Sequence, residues 1–139
     1  MADCFNELTI RGPSHILDII QESKLLFSFF YPCPAEHQDS TWCLDHWGTP
    51  AENKKNPDPD AYSVMDSSID TIIRSRTINT LSLRIWTALS PPNKFLEYLI
   101  QAYAKDNLWI KNLWSVGDKE GVWVGVMEQG SVSVKSLNW

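Results

Sequence analysis

Between Leu81 and Trp86 the chain alternates without a fault, with Leu81, Leu83 and Ile85 apolar and Ser82, Arg84 and Trp86 between them. A two-residue period belongs to a strand with one face in a core, so the first set points inward while Arg84 and Trp86 point away. Pro91-Pro92-Asn93 then opens a segment in which Phe95, Leu96, Leu99, Ile100 and Tyr103 recur at helical spacing, with Glu97 early and Lys105 at its end. Proline at the start and this charge order both suit a helix with one buried stripe.

The same order of elements occurs upstream. Phe5, Leu8 and Ile10 lie near a two-residue period over Cys4–Arg11, which stops at Gly12-Pro13. Ser14 is then a suitable N-cap for a helix to about Glu22, with Ile16, Leu17, Ile19 and Ile20 as its stripe. Leu25–Tyr31 is aromatic and aliphatic and reads as a buried strand, ended by Pro32-Cys33-Pro34, which removes two backbone donors. Residues from about 32 to 76 hold no sustained period and contain the polar, proline-broken run from Asn53 to Asp60, so they read as an insertion. After the second helix, Leu108–Val116 and Gly121–Met127 are Trp-rich strands joined by a somewhat wide turn between Gly117 and Gly121. Gln129-Gly130 turns the chain into a last short strand.

Strand, helix, strand, insertion, strand, helix, strand and additional hairpin make a decorated βαββαβ pattern. Right-handed crossovers put both helices on one face of a mainly antiparallel sheet. The expectation is a ferredoxin-like α+β sandwich, with a long loop insertion between strands 2 and 3 and an extra C-terminal hairpin. At 139 residues the chain suits one domain over 1–139, because two would each be too small for a secure core. Hydrophobic residues at 43% and charged residues at 21% exclude wholesale disorder, collagen and coiled coil.

Four segments resemble the YubB ferredoxin-like family of small proteins from phages, plasmids and large DNA viruses. They are the start Cys4-Phe-Asn-Glu-Leu-Thr-Ile with Gly12, the segment Pro32-Cys33-Pro34-Ala-Glu36, the box Trp42-Cys-Leu-Asp-His-Trp-Gly-Thr49 and the joint Trp86-Thr-Ala-Leu-Ser-Pro-Pro92. The resemblance runs from residue 4 to about 128, with the Trp-Cys box as its most specific part. Where members tend to continue that box with Lys-Trp, this chain has Pro50-Ala51. The resemblance implies the same ferredoxin-like fold and a viral, phage or plasmid setting. It brings no assigned activity and no functional residues.

Candidate chemistry concentrates in a few places. Cys33, His37, Cys43 and His46 gather thiols and imidazoles within fourteen residues, ligand types that suit tetrahedral Zn²⁺. Against that, both pairs are mixed in type and the first is fixed between prolines; the plainer reading is buried cysteines, exposed histidines and no cofactor. The same residues offer Cys–His pairs for nucleophilic catalysis, yet no oxyanion motif or orienting third residue accompanies them. Asp58, Asp60, Asp66 and Asp70 lack the glycine and terminal glutamate of an EF-hand loop and read as a solvated acidic stretch.

The third place is aromatic and basic. Arg84 and Trp86 face away from the helices, and only the insertion, with Trp42 and Trp47, is there to cover them. These four side chains would form a cleft for a nucleotide-like anion, with Arg74 and Arg76 extending its positive rim. The plainer reading makes Trp42 and Trp47 a second small core. Seven tryptophans are the compositional oddity, and any exposed one among Trp109, Trp114 and Trp123 would mark a partner surface.

Twelve Lys and Arg against seventeen Asp and Glu give a net charge of −5, which disfavours a broad grip on nucleic acid. Three cysteines, an odd set with no secretory pattern at the start, speak for a reducing cytoplasm, and the longest apolar run is too short to cross a membrane. The preferred expectation is a small non-enzymatic accessory binding protein of phage, plasmid or viral type, acting on a host or viral protein in the host cytoplasm. Sequestration of a nucleotide-like anion is the first alternative and a zinc-stabilised interaction module the second. An exposed sheet edge also allows a homodimer.

Overall fold

The computed structural model describes residues 3–25, 27–32, 40–49 and 72–138. It is an α+β structure, and its elements run β1 (Asp3–Arg11), α1 (Ser14–Ser23), α2 (Phe27–Phe30), α3 (Ser40–Trp47), β2 (Ile72–Arg76), β3 (Thr80–Ala88), α4 (Asn93–Ala102), β4 (Trp109–Val116), β5 (Lys119–Glu128) and β6 (Ser131–Asn138). All six strands join one antiparallel sheet in the order β2-β3-β1-β4-β5-β6. No helix among the described residues is long and apolar enough to cross a membrane.

The two periodic segments form as their spacing predicts. Leu81, Leu83 and Ile85 are buried on β3, and α4 buries Phe95, Leu96, Leu99 and Ile100. They share one core with Leu8 and Ile10 of β1, Ile16, Leu17 and Ile20 of α1, Ile110 of β4 and Trp123 of β5. Strand pairing puts Leu8 opposite Leu83 and Ile10 opposite both Leu81 and Ile110, so one face of the sheet carries this core. Phe5 is odd-numbered on β1 and falls on the other face, opposite Trp86.

A polar network lies inside the same core face. Asn6 Nδ2 donates to the Cys4 and Ile85 carbonyls and to Thr87 Oγ1, and Asn6 Oδ1 accepts from Asn112 Nδ2 at 3.1 Å. Both asparagines are fully buried, and Asn112 Oδ1 has no hydrogen-bond partner among the described residues. Such amides tie β1, β3 and β4 to a single register, because a slip by one residue would strand every one of these groups. Burial pushes the Cys4 thiol from its ordinary 9.0 up to about 12, partly offset by a hydrogen bond with Thr87.

Three expectations require correction. Leu25–Tyr31 is not a strand: Lys24 and Leu25 take left-handed backbone angles, and Phe27–Phe30 forms a single helical turn. Phe27 stacks on Phe95 at 4.2 Å and meets Trp47 edge-on, so this apolar run satisfies itself in the core as a helix. The second strand of the sheet is Ile72–Arg76, joined to β3 by only residues 77–79. The long connection therefore runs from α1 to β2 rather than between strands 2 and 3, and it contains α3. The β4–β5 turn is also tighter than expected, since Val116 pairs with Lys119 around Gly117-Asp118. Gly121 lies within β5, where an added Cβ would come within 2.5 Å of the Trp114 ring.

Candidate binding face

The helices and the core occupy one side of the sheet, and the residues of opposite parity make the other. On that second face, pairing aligns one row across all six strands: Ile72, Arg84, Glu7, Leu113, Val122 and Leu137. Ile72, Leu113 and Leu137 keep 46%, 41% and 64% of their surface exposed, so no described element covers the row. Next to it Phe5 and Trp86 meet edge-on at 5.1 Å, and the Arg84 guanidinium lies 5.5 Å from the Phe5 ring. Farther along, Arg11 sits 4.6 Å over Trp109. Cation and indole are within range of a cation–π contact there.

Two recesses interrupt this face. One of about 190 Å³ is lined by Glu7, Thr9, Arg74, Ser82, Arg84 and Lys111. The other, about 250 Å³, adjoins it through Glu7 and Leu113 and adds Phe5, Ser115 and Glu120. In the first, Arg84 Nε donates to Glu7 Oε1 at 2.9 Å, which fixes the plane of the guanidinium. Arg74 enters it through a β-bulge: Ile73 pairs with Leu83 and Ser75 with Ser82, leaving Arg74 as the extra residue of β2.

The cleft expected from Trp42, Trp47, Arg84 and Trp86 is not formed. Trp47 is fully buried on the helix side, where its Nε1 donates to the Tyr31 carbonyl at 3.0 Å, and Trp42 packs edge-on against it. Arg84 and Trp86 lie on the opposite face of the sheet, as their parity predicts. The two box tryptophans thus belong to the main core rather than to a second one over the open face. Arg76 also leaves the expected rim. Its Nη1 donates to Asp18 and Gln21, and its Nη2 donates to the Ser14 hydroxyl and carbonyl, clamping β2 to α1. Ser14 is the first helical residue, with Pro13 as the cap, and its hydroxyl serves Arg76 instead of the helix end.

Of the expected zinc set, Cys33 and His37 lie outside the described residues. Cys43 is buried in the core, and His46 Nδ1 is 2.9 Å from the Trp42 carbonyl. A carbonyl only accepts, so Nδ1 is the donor in this contact. Among the described residues no three His, Cys, Asp or Glu side chains stand close enough to hold a metal ion. His46 stacks on Trp42 at 4.3 Å and borders a groove of about 430 Å³ between α3, α4 and β6. Tyr31 and Tyr98 stack at 4.0 Å there, and burial, with Tyr98 beside it, raises the Tyr31 hydroxyl above its ordinary pKa. Its lining carries two carboxylates, Asp45 and Glu97, and one ammonium, Lys94.

Glu7, Thr9, Lys111, Leu113 and Leu137 were not among the expected site residues. The signal that finds them is the one that placed Arg84: Glu7 and Thr9 alternate with Leu8 and Ile10, and Lys111 alternates with Ile110 and Asn112. No family model, curated protein or solved structure matches the chain.

Proposed function

We propose that this chain is a small non-enzymatic binding protein whose open sheet face receives a protein partner. The observation that carries the reading is the row Ile72, Arg84, Glu7, Leu113, Val122 and Leu137, which crosses all six strands with apolar side chains at four of its six positions and is uncovered by any described element. Six strands at about 4.8 Å spacing make such a row about 24 Å wide, the scale of a protein contact rather than of a small-molecule pocket. Aromatic residues and arginine, the side chains that dominate protein interfaces, flank it as Phe5, Trp86, Trp109, Arg11 and Arg84.

The proposed fold is ferredoxin-like. The order β2-β3-β1-β4 with α1 before β2 and α4 between β3 and β4 supports it, with β5 and β6 as an extension. Membership of the YubB family, and with it a host or viral protein as partner in a host cytoplasm, is part of the same proposal and rests on the four sequence segments named above. The test is affinity capture from extract of the native host, using the wild type and Leu113→Glu/Leu137→Glu, both shown folded by circular dichroism. A protein held in stoichiometric amount by the wild type and lost at least tenfold by the variant is expected. Equal capture by both removes the open face from the interaction.

A further inference from the structure

The recess among β1, β2, β3 and β4 has a composition unlike the rest of an acidic chain. Arg74, Arg84 and Lys111 reach it from three different strands, with Glu7 as the one carboxylate. Three cations and one anion leave two positive charges at this point of a molecule whose net charge is −5. Neither Arg74 nor Lys111 has a salt-bridge partner among the described residues. Arg84 gives only its Nε to Glu7, so both of its Nη groups are left to donate elsewhere, on a guanidinium that Glu7 already holds in place.

The floor repeats this pattern. Thr9 and Ser82 are directly paired across β1 and β3, Lys111 is the partner of Thr9 on β4, and all three face the open side. The two hydroxyls make no hydrogen bond to a described residue. A bulge is a common means of re-aiming a side chain at a site, and here the extra residue is Arg74. Donors thus reach the recess from four strands, Thr9 of β1, Arg74 of β2, Ser82 and Arg84 of β3 and Lys111 of β4, a number and spread that suit the several oxygens of a tetrahedral oxyanion. A planar carboxylate is met by one bidentate guanidinium and needs none of the rest.

We propose that this recess is a phosphoryl-binding site that takes a phosphomonoester dianion. Resting on the docking reading above, we further place that phosphoryl group on a side chain of the docked protein. The two surplus positive charges match the charge of a phosphomonoester near neutral pH. The recess of about 190 Å³ holds a phosphoryl group but is too small and too open to enclose a nucleotide. The adjoining lobe, with Phe5 and Leu113, accommodates an apolar neighbour of the phosphorylated residue. The anion expected from the sequence is thereby relocated, with Arg74 and Arg84 retained and the box tryptophans replaced by Thr9, Ser82 and Lys111.

The test is an amide chemical-shift titration of the ¹⁵N-labelled full chain at low ionic strength with O-phospho-L-serine, L-serine and AMP. Phosphoserine is expected to shift Thr9, Ser82 and Lys111 saturably and L-serine to shift none of them. Arg74→Gln and Lys111→Gln, both outside the core, should each weaken phosphoserine at least fivefold. Absence of saturable shifts, or unchanged affinity in the Arg74→Gln/Lys111→Gln double variant, overturns the site. AMP binding more than tenfold tighter than phosphoserine overturns the protein-borne source. If phosphoserine fails while Leu113→Glu/Leu137→Glu still loses its captured partner, this inference falls and the docking reading stands. Saturable phosphoserine binding with capture unaffected by that variant brings down the docking reading instead.

Discussion

Arg74 and Arg76, two residues apart on one strand, reach opposite sides of the sheet. Strict alternation would put both on the same face. The bulge between Ile73 and Ser75 resets the parity, so Ser75 pairs with Ser82 outside and Arg76 with Leu81 inside. One extra residue gives one guanidinium to the fold, 2.6 Å from Asp18, and the other to the recess.

These two arginines are therefore separable by stability. Arg76→Gln is expected to cost about 1–2 kcal/mol, because four hydrogen bonds to α1 go but the site is partly wet. Arg74→Gln should stay within about 0.5 kcal/mol of the wild type. Urea denaturation measures both, and equal losses would contradict the division of labour.

Asn6 is the junction of the buried polar network, bonded to the Cys4 and Ile85 carbonyls, Thr87 and Asn112. Asn6→Leu keeps the size and strands several of these groups without solvent, an expected loss of about 2–4 kcal/mol. Thr87→Val removes one bond to the Ser90 carbonyl and one acceptor for Asn6 and should cost about half as much. A milder effect for Asn6→Leu than for Thr87→Val in chemical denaturation would displace Asn6 from that junction.

Cys4 links stability to alkaline pH. Below pH 9 the thiol is neutral in both folded and unfolded chains. Above it the unfolded thiol ionises while the folded one keeps its proton to about pH 12, so stability falls as pH rises through this window. Compared with Cys4→Ala, the wild type should lose an extra 1–2 kcal/mol or so between pH 8.5 and 10.5. Parallel pH profiles for the two proteins would show that Cys4 titrates normally.

Gly48 closes α3 with φ at +86°, and a Cβ there would stand 3.1–3.3 Å from Lys94 N, Pro91 O and Asn93 N at the start of α4. Gly117, in the β4–β5 turn, has φ at +60° and nothing within 4 Å. Alanine at Gly117 should cost only the left-handed strain, about 1 kcal/mol, and alanine at Gly48 about 1–2 kcal/mol more. Thermal melting of the pair separates strain from crowding, and equal shifts would exclude crowding.

The sequence made the sheet faces and α4 legible because a period has a direction. Leu81, Leu83 and Ile85 define the core side, and Arg84 and Trp86 the open side, by their alternation alone. The same rule, carried to Glu7 and Lys111, finds the recess. Leu25–Tyr31 misleads because a short run that is apolar throughout has no period, and its helical form follows only from the rings of Phe95 and Trp47 around it. The bulge leaves no mark in Ile72-Ile73-Arg74-Ser75-Arg76, which contains neither glycine nor proline, so the fate of Arg76 depended on a partner strand. Trp42 and Trp47 sit where chain geometry, not residue type, carries α3.

The placement of β1 between β3 and β4 also sets an order in time. A ribosome makes β1 before either of its two partners, which begin only at Thr80 and Trp109. Leu8 and Ile10 must therefore wait, apolar and with at least one edge unpaired, until the chain has passed Trp109. The strands after Trp109 are joined by tight turns, Gly117-Asp118 and Gln129-Gly130, and can pair with one another as they emerge. The strand made before the other five is enclosed on both edges only once β4 has emerged, and this waiting strand is where a chaperone has the most to do.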